Sequence, residues 1–70
     1  MEWEPVVSSN VRAVGYDSGQ KVLGIEFNDR TIYHYFDVPQ SEHSGLMKAS
    51  SKGSYLHSHI KGKYDYRQIK

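Results

Sequence analysis

The chain of 70 residues contains no cysteine, which excludes disulfide bonds, zinc sites with thiolate ligands and cysteine nucleophiles. It has no apolar run long enough to cross a membrane. Its first residues lack the basic start and apolar stretch of a signal peptide, so none is expected. These absences predict a cytoplasmic protein that is neither bound to a membrane nor held together by disulfide bonds.

The chain is also short, which limits the size of its core, and it carries little net charge. A domain of this size buries only about 60% of the surface of its unfolded chain, which favours a shallow surface site over a deep catalytic pocket. The net charge of +1 is unevenly spread: residues 1–37 carry three basic and six acidic side chains, net −3, and residues 38–70 carry six and two, net +4. The positive second half indicates either an anionic partner or an ordinary charged helix surface.

Short runs rich in β-branched and aromatic residues predict three strands, over residues 11–16, 21–27 and 31–36. Tight loops between these runs favour an antiparallel meander. Val6 and Val7 are either a short strand or a lead-in, and residues 64–69 alternate in the manner of a short final strand.

Two short helices are predicted after the third strand. Pro39 favours the start of a helix over residues 40–49. Ser50 or Ser51 can cap a second helix over residues 52–61, which would end at Gly62. The predicted fold is therefore α+β: one domain over residues 1–70, with a small antiparallel meander of three to four strands and two short helices packed on one face. We expect a monomer.

The length of the turn before the third strand decides which way its tyrosines face. With two or four turn residues, the odd-numbered residues of the second strand share a face with the even-numbered residues of the third. That arrangement gathers Ile32, His34 and Phe36 with the aliphatic core residues, and for this reason we prefer it. Tyr33 and Tyr35 would then lie on the opposite face, whereas a turn of three residues would place both tyrosines in the core.

Tyr33 and Tyr35 are the first candidate binding residues. RNA-binding modules often present aromatic rings on the open face of a sheet, where stacking contributes about 1–3 kcal/mol per base. The alternative is that both rings are packed within the fold, with only their hydroxyl groups in water.

Basic and serine-rich segments supply further candidates. Ser51, Lys52 and Gly53 combine free N–H groups, a hydroxyl group and an ammonium group in the manner of a phosphate site; the alternative is simple helix capping. The basic side chains of the second half could follow a nucleic-acid backbone or form a solvated surface. They are Lys48, Lys52, Lys61, Lys63 and Arg67.

The sequence gives no sign of a metal or catalytic site. His57 and His59 would point about 200° apart on a helix, and His34 and His43 lie nine residues apart in two different predicted elements. Residue types of a catalytic triad occur near Asp37, but without a nucleophile elbow or a pair of carboxylates. We therefore expect no catalytic residues, no metal, no cofactor and no enzymatic activity.

Several short motifs occur in a fixed order along the chain. They are Ser8-Ser9-Asn10, Gly15-Tyr16-Asp17, Phe27, the run from Tyr33 to Pro39, Ser51-Lys52-Gly53-Ser54-Tyr55, Ile60 and Tyr64. This ordered set resembles the KTSC domain, a family named for its occurrence at the C-terminus of some lysyl-tRNA synthetases and also found as stand-alone bacterial proteins. The resemblance covers about residues 6–69, and Arg30 stands where the family pattern usually has glycine.

The resemblance implies a small RNA-binding module, for tRNA or another structured RNA, because the domain is attached to a tRNA synthetase. In this hypothesis Tyr33 and Tyr35 stack bases, and Lys52 with the start of its helix holds phosphate. The alternative is a non-enzymatic protein-interaction domain that uses the same tyrosine face, since tyrosine suits both kinds of surface.

Overall fold

The computed structural model describes residues 1–70 and contains one sheet of five strands. The strands are β1 (Glu2–Pro5), β2 (Val11–Asp17), β3 (Val22–Phe27), β4 (Ile32–Tyr35) and β5 (Tyr66–Gln68). They pair antiparallel in the order β1-β2-β3-β4-β5. The predicted α+β meander is confirmed, with five strands in place of the expected three to four.

Two helices follow β4, namely α1 (Gln40–Lys48) and α2 (Lys52–Tyr55), and α2 continues directly into a π-helical turn (Leu56–Ile60). The Ser51 hydroxyl caps α2, as predicted, by accepting a hydrogen bond from the Ser54 backbone N–H at 3.2 Å. Gly62 follows the π turn in the left-handed conformation, with φ of 80°. None of the helices has the length and apolar character that a membrane span requires.

The core lies between the helices and one face of the sheet. Side chains alternate along a strand, so Ile25 and its β2 partner Val14 point to the same face. The fully or almost fully buried members of the core are Val11, Val14, Leu23, Ile25, Tyr35, Val38, Leu46, Leu56 and Ile60.

The opposite face of the sheet is covered by the first residues of the chain. Gly15 and Gly24 are partners on neighbouring strands, and a Cβ atom at Gly24 would lie only 2.7 Å from the ring of Trp3. The missing side chains therefore allow the indole ring to lie against the backbone of the sheet. This packing explains why β1 forms although its sequence has few strand signals.

β3 and β4 pair in the register that places the tyrosines toward the core. Leu23 lies opposite Tyr35 and Ile25 opposite Tyr33, so odd-numbered residues of both strands share one face. The prediction that these tyrosines face away from the core was wrong, since Tyr35 is only 4% exposed. The predicted core roles of Ile32, His34 and Phe36 were wrong as well: the first two lie on the opposite face, and Phe36 is not part of the core.

The cause is a turn of three residues, Asn28 to Arg30. Phe27 and Thr31 close it through a hydrogen bond of 2.9 Å from the Phe27 N–H to the Thr31 carbonyl oxygen. Arg30 adopts the left-handed conformation, with φ of 76°, at the position where a three-residue hairpin loop needs it. A single residue in this conformation thus reverses the face of every side chain in β4.

Replacing Arg30 with glycine is expected to stabilise the domain by about 0.5–1 kcal/mol. The left-handed conformation costs a residue with a Cβ atom about 1–2 kcal/mol. Glycine avoids this cost, but its greater freedom in the unfolded chain reduces the gain in stability by about 0.5–1 kcal/mol. Urea unfolding measures the difference. The matched control is Arg30→Ala, which removes the same side chain but keeps the Cβ atom and should bring no gain. Equal stability of the two variants would contradict the expectation.

Candidate functional site

An open groove of about 600 Å³ lies at the β4–β5 end of the core face. Four aromatic rings form its wall: Phe27, Tyr33, Tyr35 and Tyr66. Tyr66 reaches this wall because β5 pairs with β4 and places it opposite Tyr35. The remaining lining residues come from two loops and from the end of the π turn, and we call the whole site the aromatic groove. They are Asn10, Asn28, Asp29, Thr31, Lys61 and Gly62.

The rings touch side by side and form a continuous surface. The Tyr66 ring centroid lies 5.8 Å from those of Tyr33 and Tyr35, with tilts of 41° and 40°. Phe27 meets Tyr33 edge to face, with centroids 5.6 Å apart. At these separations no space for a ligand remains between the rings, so they make a wall and not a cage. Because Tyr66 is 62% exposed, a flat molecule can lie against it.

The wall carries three tyrosine hydroxyl groups and has one neighbouring cation, Lys61. Burial first, and the nearby Tyr33 and Tyr66 second, raise the pKa of Tyr35 above its usual value. The tyrosine hydroxyl groups that bond to protein partners are those of Tyr16, Tyr33, Tyr55 and Tyr64. The hydroxyl groups of Tyr35 and Tyr66 make no hydrogen bond within the protein, and Tyr66 is the more exposed of the two. The Lys61 ammonium group lies 5.8 Å from the Phe27 ring centroid.

The loop between β3 and β4 forms the polar end of the groove. Asp29 Oδ1 accepts hydrogen bonds from the Thr31 backbone N–H at 3.0 Å and from the Thr31 hydroxyl at 2.7 Å. These bonds, the hydroxyl first, lower the pKa of Asp29 below its usual value. Asn28 donates its side-chain N–H to the Ser9 carbonyl oxygen at 2.9 Å. The loop's own hydrogen bonds thus hold these side chains in place before any ligand arrives.

The serine-rich segment lies outside the groove, and its polar groups serve the fold. Ser51 bonds to the backbone and to the hydroxyl of Ser54, at 3.2 and 3.0 Å. Lys52 donates its ammonium N–H groups to two carbonyl oxygens at the C-terminal end of α1, at 3.2 and 2.6 Å. Gly53 packs near Asn10, where an added Cβ atom would lie 3.6 Å from the amide nitrogen. Ser51 and Lys52 thus act as helix caps, with their polar groups bonded within the fold.

The other predicted basic residues do not all meet at one site. Lys61 lines the groove, and Lys63 is exposed beside Tyr66 in an adjoining depression. Arg67 lies between two groove-facing residues of β5 and therefore points to the opposite face, where His34 is its strand partner. The structure thus brings Tyr33, Tyr35 and Lys61 together, with Lys63 nearby and Arg67 on the far side of the sheet.

Only Tyr33, Tyr35 and Lys61 were predicted among the ten lining residues; Phe27, Asp29 and Tyr66 are the most important of the seven that were not. Phe27 had been placed in the second predicted strand but not at a binding surface. The signal for Tyr66 was the short Tyr-Asp-Tyr run at residues 64–66, which repeats the tyrosine spacing of β4. Nothing local showed that β5 pairs with β4, because the two strands are about thirty residues apart in the sequence.

A second polar cluster joins the two helices. Glu42 accepts hydrogen bonds from the Tyr55 hydroxyl at 2.6 Å and from the Tyr64 hydroxyl at 3.3 Å. The bond to Glu42 first, and burial second, raise the pKa of Tyr55 to about 12. His59 stacks on the Tyr55 ring with centroids 4.2 Å apart. Both carboxylate oxygens are used within the fold, so we assign this cluster a structural role.

Both the sequence and the fold of this chain match those of known proteins. The model of the KTSC domain family matches residues 7–64. A crystal structure of a KTSC domain protein from Yersinia pestis is 38% identical in sequence and superposes with a TM-score of 0.95. The superposition covers 99% of this chain and 97% of that chain.

The relatives found by sequence are either much longer than this chain or of about the same length. The lysine–tRNA ligase of Trichormus variabilis is 39% identical over 61 residues, which are 87% of this chain and 11% of that ligase. An uncharacterised protein of Stutzerimonas stutzeri is 35% identical over 63 residues, which are 89% of each chain. The chain thus spans about a tenth of the ligases that it matches and nearly the full length of small relatives. Its fold, its matched residues and its relatives agree, and the chain belongs to the KTSC domain family.

Proposed function

We propose that this domain is an RNA-binding module without enzymatic activity, and that the aromatic groove holds an unpaired base. One observation carries the proposal. Four aromatic rings form a continuous wall of an open groove beside Lys61, and one of them, Tyr66, is 62% exposed. Stacking on such a wall contributes about 1–3 kcal/mol per base and tolerates every base, because each one has a flat π face.

The form of the groove favours single-stranded segments over a duplex. A base can reach a wall inside a groove only when it is unpaired and turned out of its helix. The net charge of +1 also limits the number of phosphate groups that the domain can neutralise. We therefore expect most of the affinity to come from stacking, with Lys61 and Lys63 adding one or two phosphate contacts.

The relatives support an RNA ligand. Lysine–tRNA ligases of Trichormus variabilis, Nostoc sp. and Nostoc punctiforme carry a segment that matches this chain. The name of these proteins gives tRNA as the molecule on which they act, and a domain joined to such an enzyme is well placed to contact its RNA. For this chain we propose the same class of ligand: an unpaired loop, bulge or end of tRNA or of another structured RNA.

Replacing Tyr66 with alanine is expected to weaken binding of a short, fluorescently labelled single-stranded RNA by about 5- to 100-fold, because a stacking ring is lost. Tyr66→Phe keeps the ring and should retain most of the affinity. Fluorescence anisotropy at low salt measures both. Tyr66 is exposed, so the variants should fold, and circular dichroism verifies this.

Lysine variants test the phosphate contact in the same assay. Lys61→Gln should reduce the slope of log affinity against log salt by about 0.7, while Lys48→Gln, an exposed change outside the groove, should leave it unchanged. Absence of RNA binding at low salt, or equal affinity of the wild type and Tyr66→Ala, would overturn the proposal. Binding of a protein partner at the tyrosine wall would instead show little dependence on salt.

A further inference from the structure

Some polar groups at the end of the aromatic groove form hydrogen bonds within the protein and others do not. The unbonded groups determine which donors and acceptors a ligand must present. Asp29 Oδ1 is bonded to Thr31, and the Asn28 amide is bonded to a backbone carbonyl. The second carboxylate oxygen of Asp29, Oδ2, takes part in no hydrogen bond of the protein, and the Lys61 ammonium group is likewise without a hydrogen-bonded partner. The groove therefore offers a free anionic acceptor and a free cationic donor beside one aromatic wall.

Asp29 is ionised in the neutral range, as aspartate side chains ordinarily are, and its hydrogen bonds from Thr31 lower the pKa of the carboxyl group further. An ionised carboxylate accepts hydrogen bonds and donates none. It repels phosphate and disfavours any ligand edge that presents a ring nitrogen or carbonyl acceptor. The Asp29 end of the groove thus suits the donor edge of a base, and its phosphate belongs at the Lys61 side.

Among the four bases of RNA, guanine matches this arrangement best. Its N1–H and exocyclic N2–H₂ are neighbouring donors, and its O6 and N7 are neighbouring acceptors. Adenine and cytosine place a ring acceptor next to their single amino group, and uracil flanks its only N–H with two carbonyl groups. Each of these three would direct at least one acceptor at the carboxylate when its donor faces Asp29.

We propose that the aromatic groove selects guanine, with Asp29 Oδ2 accepting from the N1–H and N2–H₂ edge, the tyrosine wall stacking the base, and Lys61 donating to O6 or N7 or to the adjoining phosphate. This inference rests on the proposed RNA-binding function of the same groove. Stacking alone would not discriminate between bases, and the contacts with Asp29 and Lys61 add a preference for guanine.

The test compares labelled uracil-rich RNAs that carry guanine, inosine, adenine or uracil at one central position. The wild type should bind the guanine RNA about 5- to 100-fold more tightly than the adenine and uracil RNAs. The inosine RNA, which keeps N1–H but lacks the N2 amino group, should fall between them. Affinity at one ionic strength, measured by anisotropy, gives the ratios.

Asp29→Asn is the variant that separates the base preference from binding itself. Asparagine keeps an oxygen that can accept from Thr31, so the turn is retained, while a donor replaces the free anionic oxygen. The variant should still bind RNA but lose the preference for guanine. Asp37→Asn is the matched control: it removes one exposed charge outside the groove, at a left-handed position that asparagine tolerates, and should keep the preference.

The outcomes distinguish the two proposals. RNA binding by the wild type without base preference, or a guanine preference that survives in Asp29→Asn, overturns the guanine assignment and leaves the binding function standing. No binding of any RNA overturns both. A parallel titration with guanosine 5′-monophosphate identifies the source of the base: affinity equal to that of the guanine RNA would assign the groove to a free nucleotide and remove the RNA function.

Discussion

Replacing Leu46 with alanine is expected to destabilise the domain by about 2–5 kcal/mol, the range for a leucine removed from a packed core. Leu46 is 0% exposed and is the only fully buried side chain of α1. A domain of this length has a total stability of about 4–10 kcal/mol. The substitution should therefore remove a large part of the stability and loosen α1 from the sheet.

Urea unfolding followed by helical circular dichroism and by the fluorescence of Trp3 measures this loss at two places in the fold. Trp3 lies on the far face of the sheet, so an earlier transition in the helical signal than in fluorescence would show that α1 leaves first. Met47→Ala is the matched control, because the neighbouring Met47 is only partly buried and should cost less. A cost below about 1 kcal/mol for Leu46→Ala would contradict this assignment of the core.

Replacing Gly45 with alanine is expected to destabilise the domain by up to about 2 kcal/mol, although alanine is the better helix former. Helix propensity favours the change by about 1 kcal/mol. The new Cβ atom, however, would lie 2.9 Å from Tyr55 Cζ and closer still to its hydroxyl oxygen. The Tyr55 ring cannot move away without breaking its bond to Glu42 at 2.6 Å. Overpacking of this kind costs about 1–3 kcal/mol, and we expect it to exceed the gain.

The same substitution in a protein without the Tyr55 ring tests this cause, because its effect on stability should change sign. In a Tyr55→Ala protein the ring is gone, so Gly45→Ala should stabilise by about 0.5–1 kcal/mol through helix propensity alone. The four proteins form a double-mutant cycle that urea unfolding can measure. Stabilisation by Gly45→Ala in the presence of Tyr55 would show that the ring relaxes freely and that the helices do not need a glycine at their contact.

Local patterns predicted most of the secondary structure. Short runs rich in β-branched and aromatic residues marked β2 and β3. Pro39, Ser51 and Gly62 marked the helix ends, because each acts through neighbouring backbone groups. β1 was not predicted, since Val6 and Val7 had been left as either a short strand or a lead-in. Its Glu2-Trp3-Glu4-Pro5 run has little strand character, and Trp3 is held by Gly15 and Gly24, which are distant in sequence.

The candidate site was predicted in part, with the wrong geometry. Tyr33, Tyr35 and Lys61 do share one groove, but the tyrosines belong to the core face and not to the open face. The predicted register grouped the aliphatic residues on one face and left the tyrosines on the other. It was wrong because a tyrosine ring can fill a core while its hydroxyl group reaches a groove. Lys52 was assigned to phosphate because its sequence neighbours look like a helix start, whereas the end of α1 supplies its partners.

The sequence by itself determined the fold class and the aromatic character of β4, because these depend on composition and on short-range periodicity. The resemblance to the KTSC domain family came instead from an ordered set of short motifs. Only the tertiary structure decided which face the tyrosines take and which residues join them. Arg30 in the left-handed conformation sets the turn at three residues and turns the tyrosines inward. The pairing of β5 with β4 then adds Tyr66 to the wall, since strands from distant parts of the chain meet through packing and backbone hydrogen bonds that no local pattern encodes.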